Sequence, residues 1–168
     1  MPLNGLVHRL DRGTSGVVLA AKNQEAFEYL KQQFKERNVE KKYLALVLGV
    51  PQEKEGTIVA EIMRSNEPPK RWYSRPCEAS DPRAAVTDWK VLRARGATSV
   101  LEVTPKTGRT HQIRVHLASI GHPILGDTRY GGTDAARIML HAEGISLTLP
   151  DGERAAYQAP PPKDFNQT

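Results

Sequence analysis

Two groups of residues in this chain have the types and spacing to do chemistry together. The first is His8-Arg9-Leu10-Asp11-Arg12-Gly13-Thr14-Ser15-Gly16, which sets one carboxylate among two arginines and a histidine. Neighbouring guanidinium groups favour the charged form of Asp11, the form that a nucleophile or general base requires. The two glycines permit tight backbone there. The second group, Thr107-Gly108-Arg109-Thr110-His111-Gln112-Ile113-Arg114-Val115-His116, gathers cations and amide donors far along the chain. If folding brings Arg114 to about 4 Å from Asp11, the pair gains roughly 4 kcal/mol at an effective dielectric near 20. The planar fork of arginine can also hold both carboxylate oxygens and fix their direction. Without that meeting, the same residues read as a charged turn and a helix-surface cation.

Other chemistries find less support. His111 and His116 are five apart, about 140° around a helix, whereas zinc-binding helices set two histidines four apart. A lone cysteine, Cys77, excludes an internal disulfide and a multi-cysteine zinc site. Ser15 lacks the G-x-S-x-G elbow of a hydrolase nucleophile. Neither a dinucleotide fingerprint nor a phosphate-cradling GxxxxGK[ST] run occurs. No metal and no cofactor is expected.

The elements that must position these groups follow from the pattern. Residues 17–21, Val-Val-Leu-Ala-Ala, read as a buried strand after the first motif. Asn23 is a candidate N-cap for a helix over 24–37, with Phe27, Leu30 and Phe34 as its apolar stripe. Residues 43–48 are apolar on both faces and predict a central strand. Further strands are expected at 57–62, 85–92 and 99–104, with 65–83, rich in proline and arginine, as a long surface loop. Thr107 or Thr110 can cap a helix ending near Ile120, with Ile113, Leu117 and Ile120 as its buried stripe. A glycine-rich loop over 121–132, two short strands at 138–142 and 145–149, and an extended proline tail at 159–162 complete the chain.

Composition sets the broad class. The 168 residues predict one domain, 39% hydrophobic and 26% charged, as in ordinary soluble globular proteins. A net charge of +5 favours a polyanionic partner, nucleic acid above all. No apolar run nears the roughly 20 residues of a membrane span, and no signal peptide opens the chain. A monomer in the cytoplasm, with no membrane partner, is expected.

Taken together, the motifs resemble the RluA-type pseudouridine synthases. The likeness runs through His8-Arg9-Leu10-Asp11, Thr14-Ser15-Gly16, Lys42-Tyr43-Leu44-Ala45-Leu46-Val47-Leu48-Gly49 and the segment Thr107 to His116. It continues through Gly121-His122-Pro123-Ile124-Leu125-Gly126-Asp127, Tyr130-Gly131, Leu140-His141-Ala142 and Ala159-Pro160-Pro161-Pro162-Lys163-Asp164-Phe165. The resemblance implies an α+β pseudouridine synthase fold, a mixed and largely antiparallel sheet with flanking helices and a central RNA cleft. It implies isomerisation of uridine to pseudouridine in structured RNA, ribosomal or transfer, without a cofactor.

On this likeness Asp11 matches the catalytic aspartate, attacking the sugar or assisting glycosidic cleavage. Tyr43 matches the active-site tyrosine, expected to stack on the target base and to assist proton removal from C5, and Arg114 matches the arginine paired to the aspartate. Arg9 matches a position that enters the RNA stack as the target nucleotide flips out. Arg109, His111 and Gln112 are expected to contact phosphate or shape the pocket, with Leu140 packed under the base. His8, Arg12 and Thr14 complete the expected RNA or substrate contacts. The family's domain normally begins well before the His-Arg-Leu-Asp motif, whereas only seven residues precede His8. An N-terminally short member is therefore expected, with an exposed sheet edge. No S4 module is expected, which leaves target choice to the domain and to surfaces such as 65–83. The rival reading is a non-catalytic RNA-binding domain, or an inactive fragment of such an enzyme.

Overall fold

A computed structural model describes residues 5–68 and 70–166 of the chain. Its strands are β1 (Ser15–Gly16), β2 (Glu40–Leu48), β3 (Glu55–Arg64), β4 (Trp72–Pro76), β5 (Ala84–Arg95), β6 (Thr98–Pro105), β7 (Leu140–Thr148) and β8 (Arg154–Gln158). Two helices, α1 (Gln24–Lys35) and α2 (Gln112–Ser119), accompany them. The strands form one mixed sheet in the order β1-β7-β2-β6-β5-β3-β4. Only β1 and β7 pair in parallel; β8 shares the outer edge of β7 with β1. The result is the α+β, largely antiparallel architecture expected.

The core follows from β2. Leu44, Ala45, Leu46 and Val47 are all buried because β6 and β7 flank the strand and both faces are covered. Leu101, Val103, Ile113, Leu117 and Ile124 join them in one cluster. Asn23 caps α1 through Oδ1, which accepts from the Ala26 amide at 2.8 Å. Leu30 and Phe34 of that helix pack on Val39, Ile145 and Leu147.

Several local expectations are overturned. The segment 17–21 is not a core strand: only Ala21 is buried, and Val18 and Ala20 face solvent. It runs along the sheet margin, joined by Val17 N–H to the Ala142 carbonyl and a bridge between Leu6 and Ala20. The surface loop expected at 65–83, of which residue 69 lies outside the described residues, contains β4. That strand forms a hairpin with β3, where Trp72 to Pro76 face Arg64 to Ala60. The two short strands expected at 138–142 and 145–149 are one strand, β7, because Glu143 and Gly144 pass through it without a turn. β8 was not foreseen, since Arg154 to Gln158 is mostly exposed and shows no apolar alternation.

No threonine caps α2. His111 occupies the N-cap in the left-handed region, φ 55°, without a side-chain capping bond. Thr107 instead donates its hydroxyl to Gln112 Oε1 at 2.7 Å and accepts the Val86 amide at 3.1 Å. Far from presenting a single stripe, α2 is buried on all sides from Gln112 to Leu117.

Candidate active site

The loop that carries Asp11 is held by local backbone chemistry. Thr14 N–H donates to the Asp11 carbonyl at 3.0 Å, closing a turn in which Gly13 takes φ 87°. Gly16 then enters β1 so close to the Ala142 carbonyl that a Cβ would overlap it. A polar turn is thus pinned directly to β7, with Asp11 at its start.

Across from it, α2 supplies Arg114, which is 5% exposed. The fork of Arg114 does not hold Asp11. Nε and Nη2 donate to the two carboxylate oxygens of Asp127 at 2.6 and 2.9 Å. The remaining nitrogen, Nη1, faces Asp11 Oδ2 at 3.6 Å. The expected pairing of Arg114 with Asp11 is therefore an ion pair without a hydrogen bond, and the bidentate anchor is Asp127. A buried guanidinium needs such a partner, and a carboxylate that is 1% exposed supplies it. Burial pulls the Arg114 pKa down, but the hydrogen bonds and charge of Asp127, then Asp11, outweigh it and raise it.

Tyr130 completes this assembly. Its ring lies 5.0 Å from the Arg114 guanidinium carbon, a cation–π contact. Its hydroxyl sits 2.7 Å from His111 Nδ1. His111 itself sits in the left-handed region, φ 55°, a conformation costly for a residue with a Cβ. Burial, then the Arg114 charge, lowers the His111 pKa below its ordinary value.

Tyr43 rises from β2 beside these charges. The β2–β7 register shifts between Lys42 and Tyr43, and such irregularities re-aim side chains. Burial first, and the Asp11 charge second, push the Tyr43 phenol up to about 12. Its hydroxyl therefore stays protonated across the physiological range.

Asp11, Tyr43 and Arg114 line one cavity of about 270 Å³. His8, Arg9, Thr14, Arg109, His111, Gln112 and Leu140 line it too. Arg12 does not: it is exposed on the turn, outside the cavity wall. Nor does Gln112 offer free donors. Its Oε1 accepts from Thr107 Oγ1 and from Arg109 N–H, and its Nε2 donates to the Val86 carbonyl and Thr87 Oγ1. Every polar position of that amide is occupied within the protein, so Gln112 fastens α2 to β5. His8 is likewise engaged, its Nε2 accepting from Leu19 N–H at 2.9 Å and its ring stacked on Phe34. Burial, then the Lys41 charge, lowers its pKa below the ordinary value. Thr14 Oγ1 is buried with no hydrogen-bond partner among the described residues. Leu140, 3% exposed, forms part of the apolar floor.

Sequence reasoning by residue type missed Asp127 and Tyr130. Both stood within the glycine-rich segment 121–132, and nothing in their spacing pointed to Arg114.

The sheet and its cavity define the class. A human RNA pseudouridylate synthase domain-containing protein, number 1 of its series, superposes with a TM-score of 0.82 at 34% identity. That match covers 92% of this chain and 68% of the human one. A family model described as RNA pseudouridylate synthase matches residues 4–119. The chain belongs to the RNA pseudouridylate synthase family. An RNA pseudouridine synthase of Chlorobaculum parvum is 41% identical over 96% of this chain and 55% of its own length. One from Zymomonas mobilis is 37% identical over 95% of this chain and 74% of its own. The ribosomal large subunit pseudouridine synthase D of Nitrosomonas europaea is 42% identical over 98% of this chain and 50% of its own. The chain thus spans about half the length of several relatives that it matches. No helix among the described residues is long and apolar enough to cross a membrane.

Proposed function

We propose that residues 1–168 act as one catalytic unit that isomerises uridine to pseudouridine in structured RNA. The observation that carries this reading is the meeting of Asp11, Tyr43 and Arg114 in one cavity, with Arg114 anchored from behind by Asp127. Family membership supplies the reaction class, and the name of the Nitrosomonas relative favours ribosomal over transfer RNA. The protein acts as a monomer in the cytoplasm on this reading.

A base inside a helix cannot reach the cavity, so the target nucleotide must be flipped out. Arg9, exposed at the rim, takes its place in the stack. The uracil then lies against the Tyr43 ring, with Leu140 beneath it. Asp11, facing Arg114 Nη1, acts as nucleophile at the ribose C1′. The carboxylate oxygen bonds C1′ as the N1–C1′ bond breaks; the uracil rotates, and C5 then bonds C1′ as the carboxylate leaves it. C5 gives its proton to solvent and N1 takes one from solvent, so atoms and charge balance with no oxidation. Tyr43 serves as a stacking platform, because a phenol held near pKa 12 is not a base at neutral pH. Arg109 and His111 shape the mouth and meet phosphate.

The test is pseudouridine mapping of RNA treated with wild-type protein and with Asp11→Ala. Modification by the wild type alone is the expected result; equal product from both removes Asp11 from the mechanism. Salt-sensitive RNA binding without product from either would favour a non-catalytic RNA-binding role.

A further inference from the structure

One cation in the cavity has no task in the chemistry just described. Lys41 lies on β2 two residues before Tyr43, and both line the cavity, as same-face neighbours on a strand do. Its Nζ makes one hydrogen bond, to the Thr107 carbonyl at 3.3 Å, which leaves two of its three N–H donors unspent. It pairs with no carboxylate among the described residues. Burial, and then the charge of Arg37, lower its pKa. A half-buried ammonium beside another cation is an unfavourable arrangement unless something negative completes it.

The surroundings say what that is. Of the groups lining the cavity, Arg9, Lys41, Arg109 and Arg114 are cations and Asp11 is the lone acid. Arg114 is already held by Asp127, while Arg9 and Arg109, like Lys41, pair with no acid among the described residues. Beside Lys41 the wall is open. A Cβ placed on Gly108 would meet nothing but Nζ, at 3.9 Å. Uracil and ribose carry no charge at neutral pH, so neither can answer this excess; the phosphodiester attached to them can.

We propose that Lys41, together with Arg109 in the same cavity wall, forms a phosphate seat that grips the phosphodiester of the nucleotide held in the cavity. The inference rests on the reading of this cavity as a uridine site and adds to it the group that registers the flipped nucleotide.

The test is binding of uridine, uridine 3′-monophosphate, uridine 5′-monophosphate and inorganic phosphate, followed by NMR titration of wild type, Lys41→Met and Lys41→Arg. Wild type is expected to bind one of the monophosphates at least about tenfold tighter than uridine, the value of one charge-assisted contact. Lys41→Met loses that preference and keeps its uridine affinity, whereas Lys41→Arg retains both. If Lys41→Met lowers the thermal transition, Lys41→Gln, which can still reach the Thr107 carbonyl, replaces it. A folded variant without the lysine that keeps the full preference overturns the proposal. Equal wild-type affinity for uridine and both monophosphates also overturns it, and leaves the uridine reading standing. Lys41-dependent binding of inorganic phosphate with no uridine binding upholds the seat and counts against the uridine reading. No Lys41-dependent binding of any phosphate-bearing probe overturns the seat.

Discussion

Asp127→Ala tests the proposed architecture of the site without touching a reacting atom. Asp127 is 1% exposed and accepts both hydrogen bonds of the Arg114 fork. Removing it leaves a guanidinium that is 5% exposed with Asp11 as its one remaining carboxylate among the described residues, 3.6 Å from Nη1 and too far to accept a hydrogen bond. Breaking one side of a buried pair costs about 3–5 kcal/mol. For a domain of this size that is a fall in Tm of about 6–20 °C. Asp11→Ala removes a partner that is itself part-exposed and makes no hydrogen bond to Arg114, so its cost is below about 1 kcal/mol. The double variant Asp127→Ala/Arg114→Met replaces the pair with apolar volume and recovers most of the loss. Urea and thermal unfolding of the four proteins measure these differences. An Asp127→Ala cost no larger than that of Asp11→Ala would refute the assignment of Asp127 as the anchor of Arg114.

Three further outcomes are expected. His116 of α2 is fully buried against Thr87, and burial lowers its pKa to about 4. The unfolded chain therefore takes up a proton below about pH 6.5 that the folded one refuses, so stability falls as pH drops from there towards 4, by up to about 3 kcal/mol. Urea midpoints across that window should fall less steeply in His116→Gln; identical slopes would remove the histidine as the cause. Phenolate absorbance on alkaline titration should show one tyrosine ionising near pH 12, absent from Tyr43→Phe; loss of a group titrating near 10 contradicts the buried setting of Tyr43. Phe165, 1% exposed and under Arg137, ties the proline tail to the core. Phe165→Ala should cost about 3–5 kcal/mol by chemical denaturation, and a cost below about 1 would mean that the tail is dispensable.

Much of the positioning frame was legible where side-chain period and capping act locally. β2 could be read from six consecutive apolar residues, and α1 from the spacing of Phe27, Leu30 and Phe34 after a capping Asn23. Elements stabilised by pairing alone were not: β4 and β8 lie at sheet margins with few buried side chains, so their hydrogen bonds leave no apolar signature. The charged half of the site divides the same way. Asp11 and Arg114 are conspicuous by type, and their convergence follows from motifs that resemble one family. That the Arg114 fork would turn to Asp127 depended on a short helical turn at Thr128–Tyr130 folding back over α2, which no local pattern encodes. Gln112, expected to contact phosphate or shape the pocket, lines the cavity with its amide spent inside the protein. A polar residue beside cations suggests a surface contact, yet the burial of α2 turns it into an internal fastener.

The central claim is that Asp11 drives exchange at the uridine ring. Forming the C5–C1′ bond must expel the hydrogen of C5, so RNA tritiated at uridine C5 reports the reaction directly. Wild-type protein should release tritium, and Asp11→Asn should release none while unfolding within about 1 kcal/mol of wild type and binding the same RNA. Release by Asp11→Asn at the wild-type rate would contradict the account.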